Sequence, residues 1–264
     1  MSRILYYLLC IVFLFAILPA TNAQIIALTA GNGTYGYDGD GGNATSAKLK
    51  IPTTVTRDAA GNVYFCDQLN HCVRRVSPAG IITTVAGTGS LGYAGDGGLA
   101  TAARLNGNWG VASDASGNLY ITDQWNYVVR KVSTGGIIST IAGTGVQAYT
   151  GDGGAATSAT FRRPLGIAVD NAGNIYVGDV DNYCVRRIDA FGTITTWAGT
   201  GTAGNGPDGG PATATRIGYI WGMATDNAGN LYLCDGDHHK VRKVSPTGDR
   251  KSTRLNSSHA NVSR

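Results

Sequence analysis

A repeat of 56 residues constrains the fold of this chain more than any other feature. Successive copies follow each other without insertion or deletion. The markers are three sets of equally spaced residues: Asp40, Asp96, Asp152 and Asp208; Asp67, Asp123, Asp179 and Asp235; and Arg74, Arg130, Arg186 and Arg242. A fixed period of this length is typical of a propeller or solenoid, because one unit is too small to bury its own apolar face.

Each copy contains four short strand signals after a glycine-rich loop. In the copy at 95–150 they are Trp109–Ser113, Asn118–Thr122, Val128–Val132 and Ile137–Ala142. These segments are rich in β-branched and aromatic residues and are separated by turn residues, which is the pattern of an antiparallel sheet. We therefore predict an all-β chain, a β-propeller of four-stranded antiparallel blades over 24–248. Its repeats lie at about 39–94, 95–150, 151–206 and an incomplete 207–248.

The repeated carboxylates and guanidinium groups have a structural interpretation. Asp67 and its equivalents end the second strand, where a carboxylate accepts hydrogen bonds from the turn backbone. Arg74 and its equivalents stand beside a second cation on the third strand, so alternation sends the two side chains to opposite faces. One of them is expected to pair with an Asp of its own or the next blade. A single carboxylate per blade is not a metal-ligand set, so neither a metal site nor catalytic residues are predicted.

Calcium is the one cofactor that the loop pattern brings into consideration. Asp38-Gly-Asp40-Gly resembles the start of a calcium loop. However, Asp38 is replaced by Ala94, Thr150 and Gly206 in the later copies, and the closing Glu of such loops is missing. The expectation is therefore no cofactor, with calcium as the alternative.

The two ends differ from the repeats. Residues 1–23 have one early cation, an apolar run, Pro19 and a small-residue site, which is the layout of a secretory signal peptide cleaved before Gln24. A retained membrane anchor is the alternative. We expect a protein that is secreted, periplasmic or at the cell surface, with no membrane association after cleavage. Residues 249–264 are expected to be disordered, and they resemble the translation of a sequencing adapter. Since the repeat stops in mid-unit at Gly248, this resemblance predicts that the natural chain continues; a natural basic terminus is the alternative.

The net charge of +4 comes entirely from Arg3 and the 249–264 tail, so the repeat region is neutral. A neutral domain gives no electrostatic reason to expect nucleic acid as a partner. The segment Ile25–Gly33 matches the fourth strand of a repeat, whereas the last copy stops before its own fourth strand. This segment could thus complete the last blade and close a ring.

Candidate ligand-binding residues lie where the copies differ. The residue before the first-strand glycine varies most conspicuously, as Thr53, Trp109, Leu165 and Trp221. Two tryptophans near a channel mouth could stack on a sugar or hold an apolar peptide side chain. The alternative is that they fill space between blades. Trp125 is isolated in the sequence and is a weaker candidate.

Cys66 and Cys72 flank a five-residue hairpin, and symmetric pairing would place them opposite each other. Opposed strand positions have the spacing of a disulfide, and export would allow oxidation. Buried free thiols are the alternative, because the same positions hold Thr122 and Val128 in the next copy.

The segment GVASDASGNLYITDQWNYVVRKV and its copies are similar to NHL repeats, especially the long-loop variety with GTG…GDGGxAT in secreted bacterial proteins. The resemblance implies a six-bladed parent propeller, of which this chain would be a truncated part. NHL proteins range from interaction platforms to metal-assisted lyases. A lyase needs clustered His and acidic ligands, and His71 and His239 occupy a position where NHL hairpins often carry His. We therefore expect an exported, non-catalytic binding or scaffold propeller for protein or carbohydrate ligands, with a lyase or another enzyme as the alternative.

Overall fold

The computed structural model describes residues 26–246, which form four antiparallel sheets in the order of the sequence copies. Blade A contains β1 (Pro52–Arg57), β2 (Val63–Asp67), β3 (Cys72–Val76) and β4 (Ile82–Ala86). Blade B contains β5 (Val111–Ser113), β6 (Leu119–Asp123), β7 (Val128–Val132) and β8 (Ile138–Ala142). Blade C contains β9 (Pro164–Val169), β10 (Ile175–Asp179), β11 (Cys184–Ile188) and β12 (Ile194–Ala198). Blade D contains β13 (Ile220–Thr225), β14 (Leu231–Asp235) and β15 (Lys240–Val244).

This arrangement confirms the predicted all-β propeller of antiparallel blades. The predicted signal segment 1–23 and the tail 249–264 lie outside the described residues. No helix among residues 26–246 has the length and apolar character needed to cross a bilayer.

Short 3-10 turns recur at two places in each copy. One precedes the first strand of a blade, and the other forms the hairpin between the second and third strands. They are Ala44–Ser46, Gln68–Asn70, Ala100–Ala102, Gln124–Asn126, Ala156–Ser158, Val180–Asn182, Ala212–Ala214 and Gly236–His238. Each hairpin turn ends on a residue with left-handed backbone, namely His71, Tyr127, Tyr183 and His239. We call the end of the molecule that carries these hairpins the hairpin end.

The apolar core lies between blades and not within them. Tyr64, Cys66 and Val73 on one face of blade A pack with Val111 and Ile121 of blade B. The same slots join blade B to blade C and blade C to blade D. Each interior blade is therefore buried on both faces by its neighbours, as the repeat length required.

The third strand carries a buried arginine that ties the long loop to the sheet. The guanidinium of Arg130 is fully buried, 2.6 Å from Asp96 and 3.5 Å from Asp123. It also lies over the ring of Tyr93, 5.1 Å from the centroid. Arg74 has the same three kinds of partner, and Asp40, of the loop considered for calcium, is one of them at 2.9 Å.

The cysteine geometry differs from the expected one. The register pairs Cys66 with Val73 and Asp67 with Cys72, so the two cysteines are one position out of opposition. Since neighbouring strand residues face opposite sides of a sheet, the two thiols point away from each other. Both are free and buried, so the expected opposition is wrong.

Among residues 26–246, the N-terminal segment does not complete blade D. That blade has three strands in this range, and residues 26–33 form no strand with β15. Instead, the amides of Gly31 and Asn32 donate to the carbonyls of Ala44 and Ala47 on blade A, at 2.8 and 2.9 Å. The segment therefore stays on the face of blade A.

Candidate ligand-binding surface

The hairpin end brings two variable loops of each blade close to the corresponding loops of the next blade. One is the segment that enters the first strand, and the other is the hairpin between the second and third strands. The carboxylate that ends the second strand ties them together, since Asp123 accepts a hydrogen bond from the amide of Asn106 at 2.7 Å. Burial raises the pKa of Asp123 to about 6 despite the donors around it. The Asp that joins the two loops is the same in every blade, whereas the exposed side chains of the loops differ between blades.

Trp109 and Trp221 meet at this end although they belong to blades B and D. Their ring centroids are 5.7 Å apart, with an interplanar angle of 57°. Of the other two candidates in the same slot, Leu165 is buried between them in the chain order of blades, with 1% of its surface exposed. The hydroxyl of Thr53 donates to the carbonyl of Trp109 at 2.6 Å. The structure thus brings the two tryptophans together and gives Leu165 and Thr53 packing and backbone contacts.

Tyr219 extends the cluster from Trp221 toward blade C. Its ring stands edge-on to Trp221, with centroids 6.5 Å apart, and lies parallel to Tyr183 at 5.6 Å and 5°. The hydrogen bond with Tyr183 raises the pKa of Tyr219. Tyr219 therefore stays protonated at neutral pH, and its hydroxyl can donate a hydrogen bond.

Arg163 connects this stack to a third tryptophan. Its guanidinium carbon lies 5.8 Å from the ring centroid of Trp125 and 6.0 Å from that of Tyr219. A guanidinium at this distance from an aromatic face is attracted by the ring quadrupole. One terminal nitrogen of Arg163 is 3.5 Å from the Asp181 carboxylate. Trp125, although isolated in the sequence, is thus in contact with the cluster.

We call these connected side chains the aromatic surface: Trp109, Trp125, Arg163, Tyr183, Tyr219 and Trp221. Trp125 and Trp221 keep 48% and 42% of their surface exposed. Large rings that remain accessible, beside phenol and guanidinium donors, can bind a partner by stacking and by hydrogen bonds at once.

The aromatic surface breaks the repeat symmetry. Blade A carries Ile51, Thr53, Leu69 and His71 in the slots that supply aromatic or charged side chains on blades B to D. The tryptophan slot was identified from the sequence, whereas Arg163, Tyr183 and Tyr219 were missed. The signal was available, because the slot of Arg163 and Tyr219 is also variable and lies two residues before the tryptophan slot.

The three described histidines lie on two hairpins, His71 on that of blade A and His238 and His239 on that of blade D. His238 contacts Asp235 through Nδ1 at 2.8 Å, which places it in the same role as the recurring asparagine of the other hairpins. Within residues 26–246, no group of three or more His, Cys, Asp or Glu side chains could hold a metal ion.

Comparison with known proteins gives a family match over part of the chain. Residues 144–206 match the model of the Teneurin NHL domain. Teneurin-1 of Mus musculus is 27% identical over 232 residues, which cover 78% of this chain and 8% of that protein. Teneurin-3 of Mus musculus is 31% identical over 173 residues, 60% of this chain and 6% of that protein. The chain therefore spans less than a tenth of these relatives.

Solved structures share the fold at low sequence identity. An auxiliary nutrient binding protein from Bacteroides ovatus superposes with a TM-score of 0.57 at 18% identity, over 75% of this chain and 49% of that one. A streptogramin B lyase gives 0.51 at 14%, over 75% of this chain and 52% of the other. At such identities the likeness concerns the fold alone.

Proposed function

Since the chain is an NHL-repeat propeller, we propose that it is a non-catalytic binding protein that holds a protein or carbohydrate ligand on the aromatic surface. A propeller fold does not itself decide function, so the proposal depends on the site. The observation that carries it is the unbroken series of ring contacts across blades B, C and D.

Position and composition both support this assignment. Aromatic rings and arginine are the side chains that contribute most to binding energy at interfaces, and they do so in clusters. Stacked rings are also held in one arrangement before a ligand arrives, so little conformational entropy is lost on binding. A purely packing role would leave the rings covered, whereas Trp125 and Trp221 are each nearly half exposed.

The test is ligand binding by a surface variant and a matched control. The purified chain is screened against an oligosaccharide array and a peptide library, and retained ligands are titrated by calorimetry. We expect the double variant Trp125→Ala/Trp221→Ala to lose at least about tenfold in affinity, which corresponds to about 1.4 kcal/mol. The control is Phe191→Ala, an exposed aromatic residue in the β11–β12 turn at the opposite end of the strands. Equal affinity of the double variant and the wild type would reject the proposal.

A metal-dependent lyase is the competing assignment. Metal analysis of the purified, untagged protein after dialysis discriminates between the two. Stoichiometric zinc or calcium that resists dialysis would favour the enzyme over the binding protein.

Export is part of the same proposal and is supported by the sequence of residues 1–23. Expression in a host with a secretory pathway, followed by N-terminal sequencing of the mature protein, tests it. The expected first residue is Gln24.

A further inference from the structure

A series of contacts leads from His71 on blade A to the part of the aromatic surface that lies on blades B and C. Its first member is the hydrogen bond from the amide of Gly107 to Nδ1 of His71, at 3.2 Å. Gly107 is buried and belongs to the entry segment of blade B, the residues that lead into its first strand. The bond therefore ties the backbone of blade B to an imidazole on the preceding blade.

Gly107 also supports Trp125. A Cβ at Gly107 would collide with the edge of that indole, 2.8 Å from Nε1, so the ring rests directly on the bare Cα. The other described blades carry a side chain in this slot, namely Ile51, Arg163 and Tyr219. Trp125 can thus approach the entry segment because the slot holds glycine, and a shift of this backbone removes the support of the indole.

Gln124 extends the series to Arg163. Its side chain is 2% exposed, and its amide group lies 3.2 Å from the carbonyl oxygen of Gly107 and 3.2 Å from Nε of Arg163. The assignment that suits both neighbours has Nε2 donating to the carbonyl and Oε1 accepting from the guanidinium. Both polar groups of Gly107 are then occupied, its amide by blade A and its carbonyl by the side chain that holds Arg163.

The surroundings of His71 on blade A favour the neutral imidazole. Burial lowers the pKa of His71 below 6.5, and the charge of Lys50 adds a smaller contribution. The hairpin that carries His71 also contains Asp67, whose carboxylate is paired with the buried Arg74 at 3.4 Å. The bond to Gly107 is therefore complete at neutral pH and is lost as the pH falls through this lowered pKa.

Asp123 on blade B is a second titratable group of this region. It accepts a hydrogen bond from the amide of Asn106, the residue before Gly107, at 2.7 Å. Burial raises the pKa of Asp123 to about 6, so its charge also changes in mild acid. An effect is therefore assigned to His71 only by comparing proteins in which Asp123 is unchanged.

We propose that His71 is a positioning residue of the aromatic surface, and that its protonation releases Trp125 and Arg163 from their present arrangement, so that acid weakens binding there. An imidazolium has only donors, so the buried amide of Gly107 would face a second donor and lose its partner. An unpaired buried amide is costly, and the entry segment must move to pair it again. The binding step rests on the proposed function, whereas the change in arrangement does not.

The test is fluorine NMR of the full chain labelled with 5-fluorotryptophan, which reports on the rings without any ligand. The chain has four tryptophans, and the resonance of Trp125 is the one that disappears in Trp125→Phe. In the wild type we expect this resonance to shift between about pH 7 and about pH 5. In His71→Asn the shift should lose more than half of its amplitude, and any remainder belongs to Asp123.

The matched control is His239→Asn. His239 is an imidazole in the same slot of blade D with the same left-handed backbone, and no described contact joins it to Trp125. This variant should keep the full wild-type shift. A Trp125 resonance that ignores pH in the wild type, or that shifts equally in His71→Asn, would overturn the proposal. A failed ligand screen with an intact titration would reject the proposed function alone.

A second variant tests the step through Gln124. Gln124→Val introduces the residue that blade C carries in the same slot, Val180, which is buried there, so the variant should fold. Arg163 is followed by the nitrogen–proton signal of its Nε, assigned by its loss in Arg163→Lys. In Gln124→Val the Trp125 resonance should still respond to pH, whereas the Arg163 signal should not. An Arg163 signal that follows pH as in the wild type would refute transmission through Gln124.

Discussion

His71 links blade A to blade B through a single hydrogen bond that depends on its protonation state. Its Nδ1 accepts from the amide of Gly107 at 3.2 Å. Burial, with a smaller contribution from the charge of Lys50, lowers the pKa of His71 below its ordinary value of 6.5. A protonated ring could not accept this bond.

We therefore expect acid to weaken the blade A–B contact. The folded state binds fewer protons at His71 than the unfolded state, so the stabilisation is complete above the ordinary pKa and is lost as the pH falls below it. The replacement His71→Asn tolerates the left-handed backbone and does not titrate. Urea unfolding at about pH 7 and about pH 5 should show a larger acid-induced loss of unfolding free energy for the wild type than for the variant. Identical losses would mean that His71 does not carry the effect.

At the level of the strand, the first-strand glycine of blades B, C and D shows how closely two neighbouring blades approach each other. A Cβ on Gly110 would lie 2.4 Å from the carbonyl oxygen of Leu165 on the next blade. At Gly222, in the same slot of blade D, the nearest atom to such a Cβ would be the Cys234 sulfur at 3.9 Å. The slot is crowded between blades B and C, whereas no described residue crowds it on blade D.

Alanine scanning of this slot should follow that difference. Gly110→Ala is expected to lower the unfolding free energy by about 1–3 kcal/mol, because the backbones of blades B and C must move apart. Gly222→Ala should change it by less than about 0.5 kcal/mol, because a Cβ there meets no atom closer than 3.9 Å. Thermal and urea unfolding of the two variants provide the comparison. A loss for Gly222→Ala as large as that for Gly110→Ala would show that close approach of blades B and C is not the cause.

The strands themselves were predictable from the sequence. Val128–Val132 was predicted with its observed bounds, and the first strand of blade B is shorter than predicted, beginning at Val111 and not at Trp109. The amide of Trp109 still donates to the carbonyl of Thr122. However, the next residue, Gly110, lies against the backbone of Leu165 on blade C, and the regular ladder begins only after it. The sequence pattern identifies the strands, whereas contacts with the neighbouring blade decide at which residue a strand begins.

For the whole molecule, the repeat predicted the stack of blades but only part of the aromatic surface. The contact between Trp109 and Trp221 joins residues two copies apart, and no single copy contains the information that they meet. Arg163 was not predicted as a site residue, since its two aromatic neighbours, Trp125 and Tyr219, come from the preceding and following blades. Contacts that cross blade interfaces depend on curvature and spacing, which a one-dimensional pattern does not record.

Each blade of the described stack is stabilised by the blades beside it. Hydrogen exchange of backbone amides in the purified protein measures this directly. Protection should be greatest in blade C and in β6–β8, which have neighbours on both sides, and least in β13–β15. Equal protection of all four blades would contradict stabilisation of each blade by its neighbours.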